Sequence, residues 1–386
     1  MIAYNRQSLD NLDLQLQARE AFEKNLLAAG EYARIIAAYP FRLYIPNSFI
    51  RIGLFLLTCV AASFGLGLLS LMIIDSFDKN IYIVLLVYAA IAVFVLELFI
   101  RNQKMHGAGV DDALLWIASA LIFTGINLAL KEPIPPATQS AIILFLALIG
   151  MLRYADRIMA LVAYGALLAW VFYTALAWGP VGRGLLPFLI MALSIGCYFL
   201  FTTLQTKTSL RHYRTHIILL RLATLVSLYA AGNYFIIREL NASIAGQTAS
   251  VSLGWLWWLF TFAIPVLYVI NGVRKKDVLF LWTGMALASG AILTFRYYYH
   301  IVPTEIAMIV AGIVLIAGVY GLTRYLRTPR HGFTATAPNE SHLLENLPVE
   351  GLVMAESFAS VASAPADIGV KFGGGSTGGG GAGGQY

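Results

Sequence analysis

Apolar runs separated by short polar gaps recur along this chain from Phe49 to Leu326. About ten of them are long enough to be read as membrane-spanning helices. They lie approximately over 50–74, 81–100, 113–130, 139–152, 158–178, 185–204, 217–236, 253–273, 278–295 and 306–326. The gaps alternate in charge. Arg101 with Lys104, Arg153 with Arg157, Lys207 with Arg211 and Arg214, and Arg274 with Lys275 and Lys276 occupy every second gap. The intervening gaps carry single cations, Lys79, Lys131, Arg183, Arg238 and Arg296. The positive-inside rule places the first set and both termini in the cytoplasm. The expected fold is therefore all-α, a polytopic transmembrane helix bundle of about ten spans, N-in and C-in.

The fourth run is short, and only Arg153 to Arg157 separates it from the fifth. Fusing the two would put Arg274, Lys275 and Lys276 outside, so they are read as separate spans. Aromatic residues agree with this threading. Trp178 closes the fifth span, Trp255, Trp257 and Trp258 open the eighth, and Tyr297, Tyr298 and Tyr299 close the ninth. All fall on the extracytoplasmic side, where amphipathic rings favour the interface.

Residues 1–48 read as a cytoplasmic amphipathic helical segment. Leu9, Leu12, Leu16, Phe22 and Leu26 roughly follow a helical stripe. Ser8 is the expected N-cap, and Gly30 the expected break before a second short helix ending near Pro40. The alternation of Leu12, Leu14 and Leu16 also fits a short strand, but a helix docked on the membrane face or the bundle is preferred. Residues 49–327 form the spanning domain. Residues 328–386 read as a flexible cytoplasmic tail, because the glycine-rich end 373–386 has little to bury against the entropy of ordering.

Composition sharpens the class. The chain is 59% hydrophobic and 12% charged, with a mean hydropathy of +0.75, against about 25% charged residues in soluble domains. The net charge of +6 comes mostly from cations flanking spans, which points to the lipid bilayer as partner and away from nucleic acid. Cys59 and Cys197 sit inside apolar runs, which disfavours a disulfide framework. Residues 1–20 lack an apolar core and include Asp10, Asp13 and Glu20, so the first span is expected to direct insertion.

Candidate chemistry is sparse. The spans contain no aspartate and one clear glutamate, Glu97; the sequence holds no HExxH, and no GxSxG or glycine-rich phosphate loop in a proper context. No catalytic residue, metal site or cofactor is expected. Glu97 and Arg221 are intramembrane ionisable groups near the cytoplasmic ends. Glu97 is expected to pair with Arg101 one turn on, and Arg221 to snorkel to headgroups, with a Glu97–Arg221 contact geometrically open. His212 and His216 share helical spacing but read as solvated loop residues. Asn127, Gly232, Asn233 and Pro265 are candidate helix-break or solute-lining positions. Arg238, Arg296, His300 and Glu305 are a candidate extracytoplasmic headgroup site. Ala61 with Gly65, Ser63 with Gly67, Gly284 with Ala288, Ala286 with Gly290 and Ala307 with Ala311 offer small-xxx-small contacts, compatible with a compact bundle or a homo-oligomer. Inverted repeats would suit five plus five spans, but the halves share no visible motif.

The segment Tyr44-Ile45-Pro46-Asn47-Ser48-Phe49-Ile50-Arg51-Ile52-Gly53-Leu54-Phe55 resembles those of uncharacterised multi-pass bacterial inner-membrane proteins. The glycine-rich end resembles tails on some bacterial membrane-associated proteins. These resemblances imply a bacterial inner membrane and no particular activity. The functional expectation is a non-enzymatic anchor or assembly component whose N-terminal helix and C-terminal tail meet cytoplasmic or membrane protein partners. The alternative is a transporter or channel for a small neutral or lipidic solute.

Overall fold

In a computed structural model, residues 2–24, 26–41, 43–72, 77–130, 132–245 and 253–299 are described, with 313, 316, 320 and 324. They form an all-α bundle. Helices α1 (Arg6–Glu23) and α2 (Ala29–Ala38) precede the spans α3 (Ser48–Met72), α4 (Phe77–Asn102), α5 (Val110–Ala129), α6 (Pro136–Tyr154), α7 (Arg157–Ala177) and α8 (Gly179–Gln205). A 3₁₀ segment, Thr208–Tyr213, leads into α9 (Arg214–Gly232), followed by α10 (Tyr234–Ala245), α11 (Gly254–Lys275) and α12 (Val278–Tyr298).

Nine of the helices among the described residues are long and apolar enough to cross a membrane. Helix α10, at 12 residues, reaches only about 18 Å against a hydrocarbon core of about 30 Å. Of the expected tenth span at 306–326 only residues 313, 316, 320 and 324 are described, each helical; the residues after Arg330 and the glycine-rich tail lie outside the described residues.

Neighbours in sequence pack as hairpins: α4 with α5, α6 with α7, α8 with α9, and α11 with α12. The four turns carrying the basic clusters therefore lie together at one end, here called the basic end. Helix α9 is central: half of its span window is buried, whereas none of α3's is. Close approach inside the last hairpin depends on Gly272 and Gly284, where an added Cβ would sit 2.7 Å from the Leu281 backbone nitrogen and 2.9 Å from that of Val269.

The fourth and fifth runs are distinct helices, joined at Ala155 in the left-handed region and capped by Asp156, whose Oδ1 accepts from the Met159 backbone N–H. At the N-terminus the cap is Asn5 rather than Ser8: Asn5 Oδ1 accepts the Ser8 N–H at 3.1 Å. The break between the first two helices comes before Gly30, which lies inside α2. The leucine alternation resolves as helix, with Leu9 buried while Leu14 and Leu16 are exposed. The segment docks on the bundle itself. Tyr4 and Leu9 join a core with Leu96, Ile100, Leu114 and Tyr154, and the Ala3 N–H donates to the Arg153 carbonyl at 2.7 Å. Helix α2 is held on α1 by Asn11 and Gln15 side chains donating to the Pro40 and Tyr39 carbonyls, both at 2.7 Å.

Candidate functional site at the basic end

The turn between α4 and α5 is organised by a carboxylate. Asp111 is 3% exposed. Its oxygens accept the backbone N–H groups of Gly107, Ala108 and Gly109 at 2.7, 2.9 and 3.1 Å, and the Tyr4 hydroxyl at 3.1 Å. Three amides folded around one oxygen pair make a tight loop, and Tyr4 bolts the N-terminus to it. Burial, reinforced by the adjoining Asp111 charge, pushes the Tyr4 phenol above its ordinary range, so it stays a donor. The His106 ring stands edge-on to Tyr4 with centroids 4.5 Å apart. Burial lowers its pKa, with Asp111 opposing. Gly109 is required here: its φ is +91°, and a Cβ would fall 2.1 Å from the Arg51 carbonyl oxygen of α3.

Around this turn is a cavity of about 570 Å³. Helices α1 and α3 supply the mainly apolar wall, Leu9, Leu12, Leu16, Ile52, Phe55 and Leu56, with Asp13 and Arg51 also lining the cavity from them. The other is polar and includes His106, Asp112, Trp116, Asp156, Arg157, Arg211, Arg214 and His216. Asp112 Oδ2 holds the Arg51 guanidinium from α3 at 2.6 and 3.1 Å. Arg211 is paired with Asp10 of α1 at 2.5 Å, and His212 Nε2 lies 3.4 Å from the other oxygen of that carboxylate. His216 is 4% exposed, with Nε2 donating to the Ala155 carbonyl at 2.6 Å. Its Nδ1, like Trp116 Nε1 and His106 Nδ1, finds no partner among the described residues. The histidines expected to be solvated are thus built into the wall.

A family-model scan, curated proteins and solved structures yield no match to this chain. Its site is therefore read from its own geometry.

The predicted positions fall in three places. Glu97 is bonded mainly to Arg153, at 2.7 Å, and to the Tyr154 hydroxyl, at 2.9 Å; Arg101 stands off at 3.8 Å. The expected Glu97–Arg101 pair is thus present but long, and α6 adds a closer guanidinium across the helix contact. Arg221 neither meets Glu97 nor snorkels. It is buried in the core and donates to Gln205 Oε1 at 2.6 Å, Asp277 Oδ2 at 2.9 Å and the Tyr198 hydroxyl at 3.1 Å. The α11–α12 hairpin carries Asp277 to it, so both terminal guanidinium nitrogens are bonded, while Nε has no partner among the described residues.

The helix does break at Gly232–Asn233, but the break is closed. Asn233 Oδ1 accepts from the Phe235 and Ile236 N–H groups, while its Nδ2 donates to the Tyr229 hydroxyl and Thr294 Oγ1. The Tyr234 N–H donates to Thr261 Oγ1. Pro265 is buried within a continuous α11 and does not break it. Asn127 donates to the Phe123 carbonyl of its own helix. In this fold Asn233 caps the following helix, and Gly232 and Pro265 are packed in the bundle. At the end opposite the basic turns, Arg238 lies 4.7 Å from the Tyr298 ring centroid, and Arg296 is in the last turn of α12. His300 and Glu305 lie outside the described residues.

Asp111, Asp112, Asp156 and Asp277 are functional carboxylates beyond the sequence-based candidates. The expected span begins at 113, yet α5 starts at Val110 and takes both Asp111 and Asp112 into its first turn. An acidic residue just before an apolar run, after glycines 107 and 109, is a helix-start signal that was available.

Proposed function

We propose that this integral membrane protein is a non-enzymatic anchor or assembly component. It has about ten spans in a bacterial inner membrane, with both termini and the basic end in the cytoplasm. The observation that carries this reading is the fastening of the N-terminal helix pair. Tyr4, Ala3 and Asp10 tie it to three different basic-end turns. Its outward face carries the exposed pairs Arg19–Glu23 and Glu20–Lys24 and the exposed Leu26. A helix pair held this firmly is a platform more than a tether. The buried carboxylates cap helices and pair with arginines, which supports a structural use of charge over catalysis. The transport reading loses support where Asn127, Gly232, Asn233 and Pro265 are packed and bonded.

Removing residues 1–40 would also take Tyr4 and Leu9 from the core. A surface variant, Arg19→Glu with Lys24→Glu, is the sharper test, alongside deletion of 331–386. Partners captured by the full chain in mild detergent should be lost from one or both. Unchanged capture would defeat the proposal. Reporter fusions at residues 103 and 245 should fall on opposite sides, with 103 cytoplasmic.

A further inference from the structure

The basic-end cavity has the two-sided chemistry of an amphiphile site, and we propose that it binds one anionic phospholipid, headgroup at Arg157 and Arg214 and acyl chain along α1 and α3. This inference is independent of the anchoring role.

Four observations lead to it. First, the volume of about 570 Å³ lies within the roughly 300–1,000 Å³ typical of organic ligand pockets. Second, its cations are not equivalent. Arg51 and Arg211 are engaged by Asp112 and Asp10. Arg157 and Arg214 make no ion pair among the described residues, and both line the cavity. Asp156, between the two basic helices, directs its carboxylate to the α7 backbone rather than to either arginine. Two unengaged guanidiniums offer forked donors matched to phosphate oxygens. Third, Trp116 Nε1 is a buried donor without a partner among the described residues, and His216, whose Nε2 donates to a carbonyl, leaves Nδ1 as an unpartnered acceptor suited to a headgroup hydroxyl; both residues line the cavity. Buried polar atoms are rarely left unmet, and such exceptions mark sites that a ligand or water completes.

Fourth, part of the apolar lining lies on candidate spans. Ile52 and Leu56 are exposed on α3, and Ile158 is exposed on the first turn of α7. All three sit on candidate spans, so the rim they form lies at bilayer depth beside the basic turns. A free anion would use the arginines and leave this wall empty. A lipid uses both, entering sideways without its chain leaving hydrocarbon.

Trp116 supplies the readout. It lies about 9 Å along α5 from Val110 and meets Phe55 edge-on at 5.6 Å. The full-length protein is reconstituted with phosphatidylcholine carrying increasing fractions of either bromine-labelled phosphatidylglycerol or bromine-labelled phosphatidylcholine. Quenching specific to Trp116 is the difference from Trp116→Phe. The anionic lipid should quench it at a mole fraction at least tenfold lower than the neutral one, about 1.4 kcal/mol of preference. The Arg157→Gln/Arg214→Gln double variant should lose that preference, and the double lysine variant should regain part of it. Both arginines are exposed, so the variants should keep the parent melting temperature. Equal quenching by the two lipids would overturn the proposal, as would a preference unchanged in the folded double glutamine variant. Relief of quenching by millimolar inorganic phosphate would also overturn it, showing a free-anion site instead.

Discussion

Asp111 fastens the N-terminus to the α4–α5 turn, and its removal has a calculable cost. In Asp111→Ala the amides of Gly107, Ala108 and Gly109 and the Tyr4 hydroxyl all lose their acceptor. A buried donor left unmet costs about 1–3 kcal/mol. The four are not additive, because the glycine loop can relax and the adjoining cavity can admit water. The expected destabilisation is therefore about 3–5 kcal/mol, the range for stripping a partner from a buried charge network. Tyr4→Phe removes one donor and leaves the carboxylate three amides, so about 1–2 kcal/mol is expected. The double variant should cost about 1–2 kcal/mol less than the sum, since the shared bond is lost only once. Reversible unfolding in mixed micelles measures all three. Protease cleavage between residues 24 and 28 reports whether the N-terminal helices have come off the bundle, and both single variants should accelerate it. An Asp111→Ala protein within about 1 kcal/mol of the parent, or single effects that simply add, would refute the bolt.

Two further outcomes follow from the same turn. His106 is held neutral by burial, so below about pH 6.5 the unfolded chain binds a proton that the folded chain resists. Stability should thus fall as pH drops from 7.5 to 5.5, and His106→Gln should flatten that slope in a melting series. Gly109→Ala meets both a positive φ and the Arg51 carbonyl, so α3 must shift. Trp116 emission, sensitive to its contact with Phe55, should move, while Gly67→Ala, at a position with nothing within 4 Å, should leave it alone.

Helix identity was legible because a bilayer imposes length and apolarity on every span, and Arg153 to Arg157 separated two helices as the charge rhythm required. Partners were less legible. Glu97 has a cation four residues along its own helix, and local spacing favours that pair, yet Arg153 on α6 wins by tertiary contact. Arg221 looked like a snorkelling cation because nothing near it in sequence is acidic; Asp277, its carboxylate, lies 56 positions later. The cavity was invisible for the same reason, since its lining comes from α1, α3, α5, α6, α7, the 3₁₀ segment and α9. Pattern along a chain reports what each helix faces, not which helix it faces.

Two of the four basic-end turns share a device that helps explain why carboxylates cluster there. Ala155 and Lys276 have φ of +49° and +53°, and each is followed by an aspartate capping the next helix, Asp156 for α7 and Asp277 for α12. A left-handed residue reverses the chain within one position, and the aspartate meets first-turn amides that the reversal leaves open. The two caps differ in one respect, because Asp277 also holds Arg221 whereas Asp156 forms no ion pair among the described residues. Serine can replace either as a cap but carries no charge. Asp156→Ser should therefore cost no more than about 0.5 kcal/mol. Asp277→Ser should cost about 1–3 kcal/mol, because Arg221 keeps only Gln205 and Tyr198 as partners. The difference disappears if Arg221 is first changed to Met, since no buried charge then remains to be stranded. Equal costs for the two serine variants in the parent background would mean that Arg221 draws nothing from Asp277, and that the carboxylate is present for the turn alone.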